Sequence, residues 1–218
     1  MRIGLTQRVE VVASYGERRD CLDQEWTTLL EALELTPVPL ANRLREPARA
    51  IEALGLDGII FTGGNDLAFL PGATNAAPER DALEAAALDH CLARGLPALG
   101  VCRGMQRVVT HLGGALVEVT GHVATRHAIS RIAAPTRRDV PAVDDRDAVN
   151  SFHNFGVREG ELGPALEALA LAPDGTVEAL AHRDAPLLAV MWHPERDPRD
   201  PRDRALISAL FSRQGPHR

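Results

Sequence analysis

Apolar positions follow two regimes along this chain. In the first half, short apolar runs alternate with stretches of helical spacing. Arg2-Ile-Gly-Leu-Thr6 reads as a buried strand, and Leu22, Trp26, Leu29, Leu30 and Leu33 predict a helix from about Arg18 to Glu34. Thr36 to Leu40 is extended, and its two prolines suit an edge strand. A helix over Glu46–Leu54, with Pro47 in its first turn, leads to a strand over Asp57–Thr62. The Ala/Leu-rich segment Pro78–Arg94 predicts a long helix, Leu96–Val101 a strand, and Gly104–Leu112 a helix. Strands alternating with helices imply a parallel sheet covered on both faces, an α/β fold.

The second half is different. Strand-like pieces at Ala128–Ala133, Val149–Phe152, Leu166–Leu171, Val177–Ala181 and Leu187–Met191 lie close together and predict antiparallel additions to that sheet. Thr136–Asp147 is the most polar stretch and reads as an exposed loop; Asp197–Asp203 is a second loop, before a last helix over Arg204–Ser212. Neither a repeat nor a linker divides residues 1–218, so one domain is expected.

Composition narrows the function. Aromatic residues make up only 4% of the 218, so the core must be aliphatic. The formal charge of −6 comes without a basic stripe, which argues against a nucleic-acid partner. No apolar run approaches the roughly 20 residues that span a bilayer, so no membrane partner is expected. Met1–Leu5 enters a strand rather than a signal peptide. Cys21, Cys91 and Cys102 are an odd, sparse set that argues against a disulfide framework and fits a reducing cytoplasm.

One cysteine stands apart. In Gly100-Val101-Cys102-Arg103-Gly104, a strand becomes a helix between two glycines. Such a turn pushes a nucleophile out of the backbone, and the helix N-terminus favours a thiolate and an oxyanion. Cys21 and Cys91, inside predicted helices, read as packing residues. A cysteine nucleophile needs a base, and the base an orienting group. His193-Pro194-Glu195, just past the strand at Leu187–Met191, offers both. Thr62-Gly63-Gly64-Asn65-Asp66 ends another strand, where backbone N–H groups can line an oxyanion hole with the amide of Arg103. Each segment alone also suits an ordinary role: a buried structural cysteine, a surface turn, a strand-ending turn.

Arg18 and Arg19 sit at the start of a predicted helix, where positive charge opposes the dipole. Either an anionic ligand or a neighbouring acidic side chain answers for them. His122 and His127 are five apart with no third ligand at metal spacing, so no metal is expected. No Walker or dinucleotide fingerprint is present, so no cofactor is expected either.

Taken together, the Gly-x-Cys-x-Gly elbow and the later His-Pro-Glu resemble the class I glutamine amidotransferase superfamily, from the first strand to Glu195. Gly63-Gly64-Asn65-Asp66, Val149-Asn-Ser-Phe-His153 and Trp192-His-Pro-Glu195 look like its free-standing γ-glutamyl hydrolase branch. Tyr15-Gly-Glu-Arg-Arg-Asp-Cys-Leu-Asp23 with Trp26, Asn150-Ser-Phe-His-Asn-Phe155 and Met191-Trp-His-Pro-Glu-Arg196 resemble the γ-glutamyl-CDP-amidate hydrolases of bacterial capsule phosphoramidate biosynthesis. The resemblance implies a flavodoxin-like fold, with Cys102 as nucleophile, His193 as base, Glu195 as orienter, and Gly64 and Arg103 as oxyanion donors. It further implies a γ-glutamyl substrate carrying a nucleotide diphosphate. Arg8, Arg18 and Arg19 are the expected phosphate contacts; Asn65, Gln106, Asn150, Ser151 and His153 complete the expected substrate-binding set. A γ-glutamyl-γ-aminobutyrate-type hydrolase and a glutaminase subunit of an amidotransferase complex stay open, as does assembly as a homodimer.

Overall fold

A computed structural model describes residues 1–212 of the chain. Its elements in order are β1 (Arg2–Thr6), β2 (Arg8–Val11), β3 (Arg18–Cys21), α1 (Glu25–Glu31), β4 (Thr36–Leu40), α2 (Pro47–Ala53) and β5 (Gly58–Phe61). Then come α3 (Pro78–Arg94), β6 (Ala98–Val101), α4 (Arg103–His111), β7 (Val117–Glu118), β8 (Val123–Arg131) and β9 (Arg146–Phe152). β10 (Phe155–Gly156), β11 (Leu166–Leu171), β12 (Val177–His182), β13 (Leu187–Val190) and α5 (Pro201–Ser212) follow.

Nine strands form one sheet in the order β4-β1-β5-β6-β13-β12-β11-β8-β9. The five from β4 to β13 pair in parallel, and β12, β11, β8 and β9 continue the sheet antiparallel. This is the α/β architecture with antiparallel additions that the apolar pattern predicts, except that β13, expected among the additions, pairs in parallel with β6 and completes the parallel half. The proline-bearing β4 lies on the edge, where a missing N–H breaks no ladder. β5, β6 and β13 are buried along their whole length, as strands covered on both faces must be. Two aliphatic clusters fill the two faces. One is built around Leu5, Ile60, Val101 and Val190 with Trp26, the other around Ile59, Phe61, Leu88 and Met105.

Two expectations fail. Residues 18–24 are not helical: Arg8–Val11 and Arg18–Cys21 pair as an antiparallel hairpin. β2 alternates as Arg8-Val-Glu-Val11 but over four residues only, with Val9 alone buried, and β3, Arg18-Arg-Asp-Cys21, carries no apolar alternation. The helix begins at Glu25, whose N–H donates to Asp23 Oδ1 at 3.0 Å. Arg18, Arg19 and Cys21 therefore lie on a strand, and the helix-dipole argument for the arginines does not apply. The polar segment 136–147 is not wholly exposed either, because Val140, Val143 and Arg146 are buried against the core.

Candidate active site

Parallel strands collect their ligands at their carboxyl ends. Here β5 ends in Thr62-Gly63-Gly64, β6 ends at Cys102 and β13 leads to His193. Cys102 has φ 51° and ψ −105°, a conformation that L residues rarely adopt. Close packing holds it there. A Cβ on Gly104 would collide with the Phe61 carbonyl, and one on Gly100 would lie 3.0 Å from both Ala189 Cβ and the Gly104 backbone. The elbow thus works only with glycine on both sides. Arg103 opens α4, so its backbone N–H has no acceptor within the helix.

Imidazole Nδ1 of His193 lies 2.7 Å from Glu195 Oε1, and both side chains are buried. That carboxylate keeps the ring proton on Nδ1 and leaves Nε2 to the site. Nε2 has no hydrogen-bond partner among the described residues. Burial opposes a charge on His193, but attraction to a Cys102 thiolate, seconded by Glu195, outweighs it. The result is a His193 pKa pushed up to about 10. By contrast, burial alone raises the Cys91 thiol, which keeps it inert.

The glycine turn closes on both members of this pair. A Cβ on Gly63 would come within 2.7 Å of His193 Cε1 and 3.7 Å of Cys102 Cβ. Gly64, at φ +81°, lies against the Arg8 side chain. Behind the turn stands Arg80, fully buried, whose guanidinium donates to the carbonyls of Thr62 (2.6 Å), Gly63 (3.0 Å) and Gly64 (2.5 Å). The turn's carbonyls are thus taken up on the Arg80 side, while the Thr62 N–H donates to Thr6 Oγ1 at 3.0 Å. Glu84 accepts from Arg80 Nε at 2.8 Å and also pairs with Arg103, which pairs with Asp81. Both terminal nitrogens of the Arg103 side chain are thus held by carboxylates, and only its Nε, buried, has no hydrogen-bond partner among the described residues.

A match to the family described as peptidase C26 spans residues 3–195. The chain belongs to the peptidase C26 family. A γ-glutamyl-CDP-amidate hydrolase from Campylobacter jejuni is 31% identical over 202 residues, 90% of this chain and 91% of that protein. The γ-glutamyl-γ-aminobutyrate hydrolase of Escherichia coli O157:H7 is 30% identical over 185 residues, covering 73% and 72%. A solved glutamine amidotransferase from Thermotoga maritima superposes with a TM-score of 0.68 at 14% identity, over 97% of this chain and 96% of that one, and so shares the fold. This peptidase C26 chain is a hydrolase of amide bonds, of the γ-glutamyl kind. No helix among the described residues is long and apolar enough to cross a membrane.

The remaining predicted residues separate. Gln106, one helical turn after Cys102, and His153 line a cavity of about 220 Å³ with Cys102 and Asn65. Gln106 Nε2 donates to Phe155 O at 2.9 Å. Asn65 also borders this space, but its amide is spent on the backbone of Val9, at 2.7 and 2.9 Å, which staples the hairpin to the glycine turn. Asn150 grips the backbone of His193 in both directions, accepting from its N–H and donating to its carbonyl, each at 2.9 Å. Ser151 is buried and donates to His122 O at 2.8 Å. Arg8 lines a second cavity with Gly63, Gly64, His193, Glu195 and Arg196; Cys21, on β3 rather than in a helix, lines it too. Arg18 pairs with Glu79 beside a different cavity that also holds Arg43, and Arg19 bonds Glu17 and Tyr15 in the open. Acidic neighbours account for both arginines.

Sequence reading missed Arg80, Glu84 and Asp81. They sit on one face of α3 at i, i+1 and i+4, a pattern shared with any solvated helix face. It also missed a third and fourth partner for His122 and His127. His153 and Glu178 join them with all four ligand atoms within 4.8 Å, brought in from strands distant in sequence.

Proposed function

We propose that this hydrolase releases glutamate from a γ-glutamyl amide of a nucleoside diphosphate, with Cys102 as nucleophile, His193 as acid and base, and Glu195 as orienter. The observation that carries the roles is the convergence of the elbow cysteine, the buried His193–Glu195 pair and the Gly63–Gly64 turn at three adjacent strand ends. The Cys102 thiolate attacks the γ-carbonyl carbon, and the carbonyl electrons move onto oxygen. N–H groups of Gly64 and Arg103 receive that oxyanion, each worth ~10²–10³ in rate where a single such donor has been removed. Collapse breaks the C–N bond as His193 delivers its proton to the departing nitrogen, which leaves attached to phosphorus. Water, deprotonated by His193, then attacks the thioester; glutamate departs and the thiolate returns.

The diphosphate reading is supported by the Campylobacter relative, which matches along nearly its whole length. Arg8, which also pairs with the exposed Glu10, and Arg196 give it a physical basis. They line a cavity that shares Gly64 with the one lined by Gln106 and His153. The glutamyl group is assigned to the Cys102–Gln106–His153 side and the diphosphate to the Arg8–Arg196 side, where guanidinium forks suit phosphate oxygens. Arg18 and Arg19 move to the periphery of this scheme. The test is turnover of CDP-glutamine, γ-glutamyl-γ-aminobutyrate and glutamine by the purified protein. A strong preference for CDP-glutamine is expected; equal or better turnover of γ-glutamyl-γ-aminobutyrate would overturn the diphosphate assignment and leave the triad standing.

A further inference from the structure

Away from the triad, three histidines surround one buried carboxylate. His122 precedes β8, His127 lies within it, His153 follows β9 and Glu178 lies in β12. Glu178 is completely buried, and His122 and His153 nearly so. Each ring has one nitrogen already engaged on its outer side. His122 Nε2 is 3.3 Å from Asp174 Oδ2, His127 Nδ1 is 3.1 Å from Ala128 O, and His153 Nδ1 is 3.0 Å from Phe155 O. A neutral ring that donates to an oxygen carries its proton there and presents a lone pair at the other nitrogen. Those three inner nitrogens, His122 Nδ1, His127 Nε2 and His153 Nε2, each lie 3.6 Å from the same atom, Glu178 Oε1.

At 3.6 Å these are not hydrogen bonds. His127 Nε2, His153 Nε2 and both Glu178 oxygens have no hydrogen-bond partner among the described residues. His122 Nδ1 has only Ser151 Oγ at 3.5 Å, and that hydroxyl already donates to His122 O. Four acceptors therefore face one another in a buried space with no donor between them, an arrangement that is costly unless a cation joins them. The three nitrogen-to-oxygen spacings fit one, and the set as a whole, within 4.8 Å, needs only to draw in around it. Ligands held at 2.0–2.2 Å on a tetrahedral zinc ion stand about 3.3–3.6 Å from each other.

We propose that His122, His127, His153 and Glu178 form a four-coordinate site for a divalent transition-metal ion, with zinc the best match to three imidazoles and one carboxylate. Three nitrogen donors disfavour magnesium and calcium, which take oxygen. Asp174 and the two carbonyls supply the outer hydrogen bonds that fix ligating histidines. Four protein ligands leave no open position, so the ion is structural. It ties β8, the β9–β10 connection and β12 together, and His153 and Phe155 of that connection wall the Cys102 cavity.

The test uses the full chain in a Cys102→Ala background, so that the triad thiolate cannot supply a ligand. Protein stripped with a chelator is reloaded with zinc or cobalt and exchanged into metal-free buffer. The expected result is about one ion per chain, an intense visible cobalt spectrum of four-coordinate type, and a higher thermal midpoint with zinc. His127→Ala and Glu178→Gln should abolish all three. Asp174→Asn, which leaves all four ligands in place, should weaken zinc binding about 10–100-fold in competition with a chromophoric chelator. Loss of the ion on exchange, or a six-coordinate spectrum from retained cobalt, would overturn the proposal, the former in favour of a proton shared within the cluster. Unchanged stoichiometry and affinity in His127→Ala and Glu178→Gln would place the ion elsewhere and overturn it as well.

Discussion

Asn150 separates two accounts of the site. If it holds the glutamyl group, removing it weakens substrate binding. If it holds His193, as its two 2.9 Å bonds to that residue's backbone indicate, removing it loosens the base. Each such bond contributes a net ~0.5–1.5 kcal/mol, so losing both amounts to roughly 1–3 kcal/mol. Every 1.4 kcal/mol is about tenfold. If the loss falls on the segment that presents the imidazole, the competent population drops on the order of 5- to 150-fold. Asn150→Ala should therefore lower kcat by that factor with KM within about twofold. Asn150→Asp keeps an acceptor for the His193 N–H but sets an oxygen against the His193 carbonyl, so it should not restore activity. Steady-state kinetics on CDP-glutamine, with circular dichroism to confirm folding, decides the matter. A KM raised tenfold or more at unchanged kcat would return Asn150 to the substrate and refute the positioning argument.

Cys102→Ala should abolish hydrolysis in a folded protein, and a glutamine-like electrophile should modify Cys102 and not Cys91 in peptide mass spectrometry; full activity in the variant would remove the nucleophile assignment. The His193 ring, followed by NMR, should titrate near pH 10 in the native protein, and far lower in Cys102→Ala, which removes the foremost attraction holding it charged. Because the folded pKa is raised, the matching stability is complete below the ordinary histidine pKa of ~6.5 and is lost as pH rises through about 10. An unchanged titration in the variant would mean that Glu195 alone holds the proton. Arg8→Ala should lower kcat/KM for CDP-glutamine about 10–100-fold, the worth of one charge-assisted hydrogen bond, and leave glutamine turnover nearly unmoved; equal losses on both would make Arg8 a support for Gly64. Gly63→Ala should inactivate the enzyme through the clash of the new methyl with His193 Cε1, a loss that measured activity at the wild-type level would contradict.

What the sequence by itself determined was local. Alternating apolar runs and helical stripes set the parallel half of the sheet as far as β5 and β6, since burial on two faces demands unbroken apolar strands, whereas β13 joined that half only in the folded structure. The prolines of β4 put it on an edge for want of N–H donors. Gly100 and Gly104 marked the elbow because a strained Cys102 leaves no room for neighbouring side chains, and His193 and Glu195 were legible because they are two residues apart on one segment. Only the tertiary structure decided the rest. The hairpin at residues 8–21 buries only Val9 and its second strand is polar, so its pattern is too short to read; Asn65 and Val9, 56 residues apart, hold it down. Asn150 meets His193 across 43 residues, and Arg80 reaches the glycine turn from a helix that follows it. His122 and His127 gain His153 and Glu178 only when β8, β9 and β12 come together. Hydrogen bonds and ligand geometry at these places depend on distances between strands, and sequence spacing carries no record of which strands will be neighbours.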